Sequence, residues 1–316
     1  MSSPTIVVTR ALPPAALTPL QTVGNVRTSP HDRPLTEDEL RDAVRGATAV
    51  ISMLFDRIDD GVLAAAGPQL RVVANTAVGY DNLDLDAFAG RGIVATNTPG
   101  VLVDATADLT MALLLAVTRR VAEGDRLVRT GTPWSWDISF MLGSGLQGKR
   151  LGIVGYGHIG RAVATRARAF GMDVVHHSHR GGQESTDLEE LLATSDVVSL
   201  HCPLTQATRH LVDAAALRTM KPSAYLVNTA RGPIVDETAL ADALEAGRLA
   251  GAALDVYEHE PAVPARLRAL DNVVLAPHLG SATVETRTRM AELAVSNVVA
   301  VLSGQDPLTP VSVVSA

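Results

Sequence analysis

Three polar residues in the second half of the chain are of the types that catalyse reactions on small anionic molecules. Arg231 follows a predicted strand, and a planar guanidinium binds a carboxylate through two parallel hydrogen bonds. His278 also follows a strand, between Pro277 and Gly280, and an imidazole exchanges a proton near neutral pH. Glu260 is a candidate to orient that imidazole and to favour its charged form. A salt-bridged structural arginine, a loop histidine and a surface glutamate are the alternative interpretations.

A glycine motif predicts a second kind of chemistry, the binding of a dinucleotide. Gly155, Gly157 and Gly160 have the spacing G-x-G-x-x-G, between a short apolar strand and a predicted helix, Arg161 to Phe170. In that context the first glycine permits a tight turn and the second lets backbone approach a pyrophosphate, while the third lets helix and strand pack closely. A purely structural glycine turn is the alternative, but it leaves three entropically costly glycines without a purpose.

These residues fall at the ends of predicted strands that alternate with helices. Such alternation is typical of a parallel sheet with helices on both faces, where ligands bind outside the carboxyl ends of the strands. From residue 151 onward the number of strands is that of a dinucleotide-binding domain. The predicted strands of this part are Leu151–Val154, Asp173–His177, Asp196–Leu200, Ala224–Asn228, Gly251–Leu254 and Val273–Ala276.

The first 98 residues or so have their own alternation and predict a smaller doubly wound domain. Thr36 and Glu39 form a capping box before the predicted helix Glu37 to Val44. Gly100 to Arg120 is then predicted as one long helix that is apolar on nearly every side. A helix of this kind is buried, and we expect this one to lie between domains or between subunits. A last amphipathic helix covers Val284 to Leu302.

The bulk properties of the chain exclude several classes of function. The net charge of −7 argues against binding to nucleic acid. No apolar run reaches the ~20 uncharged residues of a membrane span, and the first residues lack the layout of a signal peptide. Cys202 is the only cysteine, so no internal disulfide forms and a cytoplasmic enzyme is expected. The only lysines, Lys149 and Lys221, lie outside any phosphate-loop motif, which argues against ATP chemistry.

Six motifs resemble, in this order, those of the D-isomer-specific 2-hydroxyacid dehydrogenases, and more narrowly those of the glyoxylate/hydroxypyruvate reductases. They are VGYDNLD, NTPGVLVDATADLTMALLLA, GIVGYGHIG, VNTARGPIVDETAL, GAALDVYEHEP and APHLGSAT. The resemblance implies an α/β fold of two doubly wound parallel-sheet domains. A flavodoxin-like substrate domain would comprise residues 1–98 and 284–316, and a Rossmann-type cofactor domain residues 99–283. It also implies a homodimer.

The resemblance assigns the catalytic roles by motif. The family's arginine, glutamate and histidine fall on Arg231, Glu260 and His278. In the family the carboxylate of the substrate also meets backbone amides of the VGYDN loop, here those of Val78 and Gly79.

The same resemblance implies contacts to the partner subunit and to the cofactor. Trp136 resembles a reductase tryptophan that reaches across the dimer, and Leu54, Trp136 and Phe140 together suggest a small apolar pocket. Asp255 resembles the residue that holds the nicotinamide carboxamide. The full set of expected cofactor contacts is Thr106, Gly155, Gly157, His158, Ile159, Gly160, Ser178, His179, Arg180, Cys202, Pro203, Thr208, Thr229, Ala230, Asp255, His278 and Gly280.

The turn after Asp173–His177 predicts the choice of cofactor. An NAD-binding fold usually carries Asp or Glu about 20 residues past the glycines, bonded to the adenine ribose 2′-hydroxyl. Ser178, His179 and Arg180 stand here instead, and a hydroxyl with a cation suits a 2′-phosphate. We therefore expect NADP(H) to be preferred, with NAD(H) possible. No metal is expected, since the neighbouring histidines lack a third ligand, and no base is evident that would make Cys202 a nucleophile.

The expected activity is the NADPH-preferring reduction of small 2-oxo acids, with glyoxylate and hydroxypyruvate as leading substrates. Phosphite, formate and 3-phosphoglycerate dehydrogenases of the same superfamily remain alternatives. Glu260 counts against formate dehydrogenases, which carry glutamine there, and phosphoglycerate dehydrogenases commonly add a regulatory domain for which this length leaves no room. A dinucleotide-sensing corepressor with the same fold is the alternative from another class. The physiological 2-oxo acid depends on pocket shape, which the sequence does not give.

Overall fold

A computed structural model of the chain describes residues 3–178 and 185–311, so that His179 and Arg180 lie outside the described residues. The chain divides into two compact units. The first ends at Leu102 and takes up the chain again from Thr283, and the second is Val103–Ala282. Of the helices in the described ranges, none is both long and apolar enough to cross a membrane.

A five-stranded parallel sheet forms the centre of the first unit. Its elements begin with β1 (Thr5–Val8), α1 (Pro14–Gln21), β2 (Asn25–Thr28), α2 (Glu37–Val44), β3 (Ala49–Ser52), α3 (Asp60–Ala66), β4 (Val72–Asn75), α4 (Leu85–Arg91) and β5 (Val94–Thr96). The strand order β2-β1-β3-β4-β5 is that of flavodoxin-like folds, which confirms the predicted fold class for this unit. Strands β3 and β4 are buried throughout, as expected of parallel strands covered on both faces.

A second parallel sheet, of six strands, forms the centre of the second unit. Its elements are α5 (Val103–Thr118), α6 (Val121–Arg129), β6 (Arg150–Val154), α7 (His158–Ala169), β7 (Asp173–His177), α8 (Leu188–Thr194), β8 (Val197–Leu200), α9 (Ala214–Thr219), β9 (Tyr225–Asn228), α10 (Glu237–Glu245), β10 (Gly251–Leu254), α11 (Ala265–Ala269) and β11 (Val273–Leu275). The strand order is β11-β10-β9-β8-β6-β7, and a parallel bridge between His176 and Ser185 extends it beyond β7. With that bridge counted as a short third strand, the order is the doubly wound one of a Rossmann fold, and the predicted fold class is confirmed.

The last helix, α12 (Val284–Leu302), has the bounds that the sequence predicts and completes the first unit. Its buried Val295 and Val298 pack with Ile6 and Ile51 on one face of the first sheet. The first unit therefore draws its core from two stretches of chain that are far apart in the sequence.

The predicted long apolar helix, Gly100 to Arg120, corresponds to α5, which is shorter by a few residues at each end, and α6 begins separately at Val121. Arg120 adopts a left-handed backbone with φ 55° and pairs with Glu123 at 2.6 Å, and the amide of Ser144 donates to the Thr118 carbonyl at 2.8 Å. Helix α5 therefore ends in satisfied hydrogen bonds. Since α7 and the sheet of the same unit bury Met111 and Leu114, its apolar character does not by itself require a second domain or subunit.

Candidate active site

The glycine turn between β6 and α7 uses its three glycines for different reasons. Gly155 has φ 96°, and a Cβ added there would overlap the backbone of Cys202. A Cβ added at Gly160 would overlap the Gly155 carbonyl oxygen. A Cβ added at Gly157, in contrast, would have no atom of the described residues within 4 Å. Packing therefore explains two of the glycines, and the open space at Gly157 fits the approach of a dinucleotide pyrophosphate.

Helix α7 begins at His158, three residues before the predicted start at Arg161. The reason is a hydrogen bond of 3.0 Å from the Arg161 amide to the Gly157 carbonyl, which closes the first turn within the glycine motif. His158, Ile159 and Gly160, three of the predicted cofactor contacts, thus form the amino-terminal turn of a helix. The amide groups and partial positive charge of such a turn suit a phosphate.

Hydrogen bonds with Ser185 and Thr186 hold the carboxyl end of β7. The Ser178 amide donates to the hydroxyl of Ser185 at 3.0 Å, and the His177 ring meets the Thr186 carbonyl at 3.0 Å. The His176 ring stacks on Tyr156, with ring centres 3.7 Å apart. The predicted cofactor contacts His179 and Arg180 lie outside the described residues. Within residues 3–178 and 185–311, no cluster of three His, Cys, Asp or Glu side chains could hold a metal ion.

Arg231 lies in the turn after β9, and Asn228 shapes that turn. The Asn228 side chain accepts a hydrogen bond from the Ala230 amide at 3.0 Å and donates one to the Arg231 carbonyl at 2.9 Å. The Arg231 guanidinium donates to the Ala230 carbonyl at 2.8 Å. Thr229 joins Thr110 of α5 through their hydroxyls at 2.9 Å. The turn that carries the predicted anion-binding arginine is therefore held on both sides.

His278 and Glu260 are in direct contact, as the sequence predicts for an oriented imidazole. The distance between His278 Nδ1 and Glu260 Oε2 is 2.8 Å, and the two side chains are 21% and 14% exposed, so that solvent screens the pair only weakly. The other carboxylate oxygen of Glu260 accepts a hydrogen bond from the Tyr257 amide at 2.9 Å. The Tyr257 hydroxyl donates to the Ala276 carbonyl at 2.9 Å and lies 3.2 Å from the Leu254 carbonyl, which ties the ends of β10 and β11 together. Burial raises the pKa of that hydroxyl, which keeps it a donor.

Asp255 fixes the backbone on which His278 stands. Its buried carboxylate accepts hydrogen bonds from the amides of Leu279 at 2.6 Å and Gly280 at 2.8 Å. The amide of His278 donates to the Asp255 carbonyl at 2.8 Å, and His278 has φ 56°, an uncommon conformation for a residue other than glycine. Thr106 donates its hydroxyl to the Gly280 carbonyl at 3.1 Å. Burial raises the pKa of the Asp255 carboxyl, which the bonds from Leu279 and Gly280 oppose.

The turn after β8 carries three further predicted cofactor contacts. Thr208 donates its hydroxyl to the Pro203 carbonyl at 2.7 Å, which closes the turn. Burial raises the pKa of the Cys202 thiol to about 11, so that the thiolate is scarce at neutral pH. Burial also lowers the pKa of His201 to about 4, and its ring bonds the hydroxyl of Ser199 at 2.8 Å. A neutral thiol and a neutral imidazole fit a lining role for this turn.

The remaining predicted substrate residues lie in other parts of the fold. Leu54 follows β3, and Val78 and Gly79 follow β4, so that all three belong to the first unit. Trp136 belongs to the loop after α6 in the second unit and is 77% exposed, which leaves it available for a partner. Phe140 of the same loop stacks on Trp134, with ring centres 5.8 Å apart, so that it packs within the loop.

Sequence reasoning missed the contact between the segments that carry Arg231 and Glu260. A Cβ added at Gly232 would overlap the backbone of Tyr257 and Glu258. The glycine of the ARG motif therefore sets the separation of the two backbones. The only sign of this contact in the sequence is that a glycine directly follows the arginine. Any side chain at that position would push the two segments apart.

Three ionisable side chains that sequence reasoning also missed join these segments. Glu258 accepts a hydrogen bond from the Glu237 amide at 3.1 Å, and Glu237 accepts one from the Glu258 amide at 3.0 Å. The second oxygen of Glu258 meets His210 Nε2 at 2.9 Å. Burial raises the pKa of the Glu237 carboxyl. No spacing in the sequence pairs Glu237 with Glu258, because their contact depends on the neighbouring positions of β9 and β10.

The second unit also resembles known proteins. Residues 111–280 match a family model described as the NAD-binding domain of D-isomer specific 2-hydroxyacid dehydrogenase. A glyoxylate reductase of Thermofilum pendens is 45% identical over 320 residues, which cover 97% of this chain and 94% of that protein.

Two solved structures extend the likeness to the whole chain. The TT0316 protein of Thermus thermophilus is 49% identical with a TM-score of 0.92, over 98% of this chain and 100% of that one. The NADPH-dependent glyoxylate/hydroxypyruvate reductase of Sinorhizobium meliloti, solved with NADP and malonate, is 35% identical with a TM-score of 0.85, over 98% of this chain and 97% of that one. The likeness therefore covers both units.

Proposed function

The chain belongs to the D-isomer-specific 2-hydroxyacid dehydrogenase family, and on that premise we propose that it reduces small 2-oxo acids with NADPH as the preferred cofactor. The observation that carries the proposal is the 2.8 Å contact of His278 with Glu260, at the same sheet end as the glycine turn. Glyoxylate is the leading substrate, supported by relatives named glyoxylate reductase. Hydroxypyruvate is the second, supported by the name of the Sinorhizobium meliloti reductase.

Glu260 determines which nitrogen of His278 serves the substrate. Since Nδ1 faces the carboxylate at 2.8 Å, the transferable proton is the one on Nε2. The negative charge of Glu260 stabilises the imidazolium, which is the form that donates a proton to a ketone oxygen. The Tyr257 amide holds the Glu260 carboxylate in place, and the Asp255 carboxylate holds the backbone directly after His278. His278 therefore acts as the general acid, and Glu260 acts through it.

Arg231 binds the carboxylate of the substrate and polarises its ketone. A guanidinium carries five N–H donors in a planar fork, so that its bond to the Ala230 carbonyl is compatible with bidentate binding of a carboxylate. The turn held by Asn228 keeps the charge at one position. Fixed charge at the reacting centre lowers the barrier because no reorganisation is needed during the reaction.

A bound nicotinamide dinucleotide supplies the hydride. The residues that fit it are Gly157, where an absent side chain leaves open space, and the first turn of α7. The preference for NADPH is supported by Ser178, with His179 and Arg180 in the sequence beyond it, where an acid would select NAD. The Sinorhizobium meliloti relative, named as NADPH-dependent, supports the same choice.

We further propose that the protein forms a homodimer through an apolar surface of the second unit. Helix α6 has no buried residue, and several large apolar side chains of α6 and the following loop are more than half exposed. Exposed patches of this kind mark interaction sites. The residues of this surface are Val121, Val128, Trp134, Trp136, Ile138 and Leu142. Light scattering at micromolar concentration should return twice the mass of 33.1 kDa, and a monomer mass would contradict the dimer.

An NADPH oxidation assay tests the proposed function. Glyoxylate should start the oxidation in the wild-type protein, with kcat/KM higher for NADPH than for NADH. Arg231→Lys keeps the charge but loses the fork, so kcat/KM for glyoxylate should fall about 10–100-fold with NADPH affinity near normal. The exposed Arg268→Lys is the matched control and should behave as wild type. Absence of glyoxylate-dependent oxidation in the wild type, or equal losses for both ligands in Arg231→Lys, would contradict the proposal.

A further inference from the structure

The loop after β4 in the first unit has three successive carbonyls that are each bound by a donor from the adjoining strand ends. The Thr98 amide donates to the Ala77 carbonyl at 2.8 Å. The Asn97 side chain donates to the Val78 carbonyl at 2.8 Å. The Asn75 side chain donates to the Gly79 carbonyl at 3.0 Å. Three peptide groups in a row are therefore fixed in orientation.

Fixing a carbonyl also fixes the amide of the next residue. A peptide group is planar and nearly always trans, so its N–H points opposite to its C=O. The amides of Val78, Gly79 and Tyr80 therefore point away from the donors that hold their own peptide groups. Successive backbone amides of this kind form a site for an anion, and they need no charged side chain to do so.

The side chain of Asn75 is held by its neighbours, which decides how its amide group is oriented. Asn75 is fully buried, and its oxygen accepts hydrogen bonds from the Ser52 hydroxyl at 3.3 Å and from the Asn82 side chain at 3.2 Å. Its nitrogen is thereby the atom that faces Gly79. Asn82 donates in turn to the carbonyls of Met53 at 3.2 Å and Asp56 at 2.9 Å.

Asn97 is fixed through its backbone rather than its side chain. Its amide donates to the Thr309 carbonyl at 3.3 Å, and its carbonyl accepts from the Thr309 hydroxyl at 2.7 Å. Asn297 of α12 holds Thr309, since its side chain bonds both the amide and the hydroxyl of that residue. The two asparagines thus rest on separate supports, and neither depends on the other for its position.

We propose that Asn75 and Asn97 are positioning residues that preorganise the amides of Val78, Gly79 and Tyr80 to bind the carboxylate of the substrate. The proposal rests on the proposed function for the identity of that carboxylate. It adds to the expected pair of amides a third, that of Tyr80, and the two side chains that aim them. A preorganised site binds more tightly because it has little freedom left to lose.

Kinetics of Asn97→Ala and Asn75→Ala test this role. Each variant loses one hydrogen bond that aims an amide, so KM for glyoxylate and the dissociation constant for oxalate should both rise roughly 10-fold. KM for NADPH should stay within about twofold, because the asparagines act only on the carboxylate. Asn272→Ala, which removes a similar side-chain bond to the Ala250 carbonyl in the second unit, is the control and should leave all three constants unchanged.

Hydrogen exchange on the wild-type protein gives a second reading that needs no variant to fold. Oxalate, added with NADPH, should slow the exchange of amides within residues 77–82. Protection there supports the proposal, and unchanged exchange with bound oxalate overturns it. Oxalate binding without glyoxylate turnover would refute the proposed function but not the role of the asparagines. If folded Asn97→Ala and Asn75→Ala turn over glyoxylate with wild-type KM and oxalate affinity, the role of the asparagines is refuted but the proposed function is not.

Discussion

Two segments of the molecule offer backbone amides at the carboxyl end of a parallel sheet, and they hold those amides by different means. In the second unit, Gly155 to Gly160 makes a tight turn into α7, and the helix itself orients the amides. In the first unit, the segment Ala77 to Gly79 is not directly followed by a helix, and donors from the strand ends bind its carbonyls. The glycine turn of the second unit depends on positions that lack a side chain, whereas the loop of the first unit depends on particular side chains that bind its carbonyls.

This difference decides why only one of the two segments could be fully predicted. Glycines at fixed spacing between a strand and a helix serve few purposes besides binding a phosphate, so that the motif itself indicates a function. Asparagine is common at strand ends and in turns for many reasons. Asn75 and Asn97 gain their role from the pairing of β4 with β5, in which Ala74 lies opposite Thr96. Such a register is not written in the local sequence.

The largest expected effect is that of a side chain in the glycine turn. Gly155→Ala places a Cβ on the backbone of Cys202 at φ 96°, where an L-residue is strained. We expect the free energy of unfolding to fall by about 2–5 kcal/mol, the sum of backbone strain and overpacking. Urea denaturation without cofactor measures this loss. A wild-type midpoint would mean that the turn does not depend on a missing side chain.

A smaller effect is expected from a negative charge at the end of β7. It tests whether the 2′-phosphate of NADPH binds at this point of the second unit. Ser178→Asp places a carboxylate where the 2′-phosphate of NADPH is proposed to bind. Repulsion between like charges should lower the ratio of kcat/KM for NADPH to that for NADH about 10–100-fold. Ser185→Ala, which removes the side-chain bond to the Ser178 amide without adding charge, is the control. An unchanged ratio in Ser178→Asp would place the 2′-phosphate elsewhere.

The smallest expected effect concerns the thiol beside the glycine turn. Burial raises the pKa of Cys202 from 9.0 to about 11, so its thiolate fraction at pH 8 should be roughly 100-fold below that of an unfolded thiol. Alkylation by iodoacetamide should therefore be slow in the native protein at pH 8 and should accelerate as the pH rises toward 11. Rapid labelling at pH 8 would show that the turn leaves the thiol open, and that its backbone contact with Gly155 is loose.

Much of the fold follows from the sequence because the strands are short, apolar and regularly spaced. Four elements have their predicted bounds: α2 (Glu37–Val44), β7 (Asp173–His177), β10 (Gly251–Leu254) and α12 (Val284–Leu302). The predicted end of the apolar helix at Arg120 lies two residues beyond the last residue of α5, but the bond from the Ser144 amide to this helix end could not be predicted, because Ser144 comes from a later part of the chain. Hydrophobic periodicity records burial, and it carries no signal for such a bond.

The candidate site divides in the same way. The contact of His278 with Glu260 was predicted by type and motif, because an imidazole needs a carboxylate to fix its proton. The bonds that join Glu258 to Glu237 and His210 were not predicted, since they cross between turns that only the sheet brings together. Residue type and motif therefore identify the side chains that react, whereas the residues that hold them in place become evident only from the fold.

Two alanine substitutions compared in one assay test whether the backbone amides of the two segments bind different anionic ligands, NADPH in the second unit and the substrate carboxylate in the first. Gly157→Ala fills the open space in the glycine turn and should change the stability by less than about 1 kcal/mol, since its Cβ meets no atom of the described residues. Asn97→Ala frees the Val78 carbonyl in the other unit.

The decisive measurement is the KM of each variant for NADPH and for glyoxylate, each determined with the other ligand saturating. Gly157→Ala should raise KM for NADPH at least 10-fold and leave KM for glyoxylate within about twofold, and Asn97→Ala should show the opposite pattern. If both variants raise both constants in parallel, or if neither raises its own, the two segments do not divide the ligands between them and the account is contradicted.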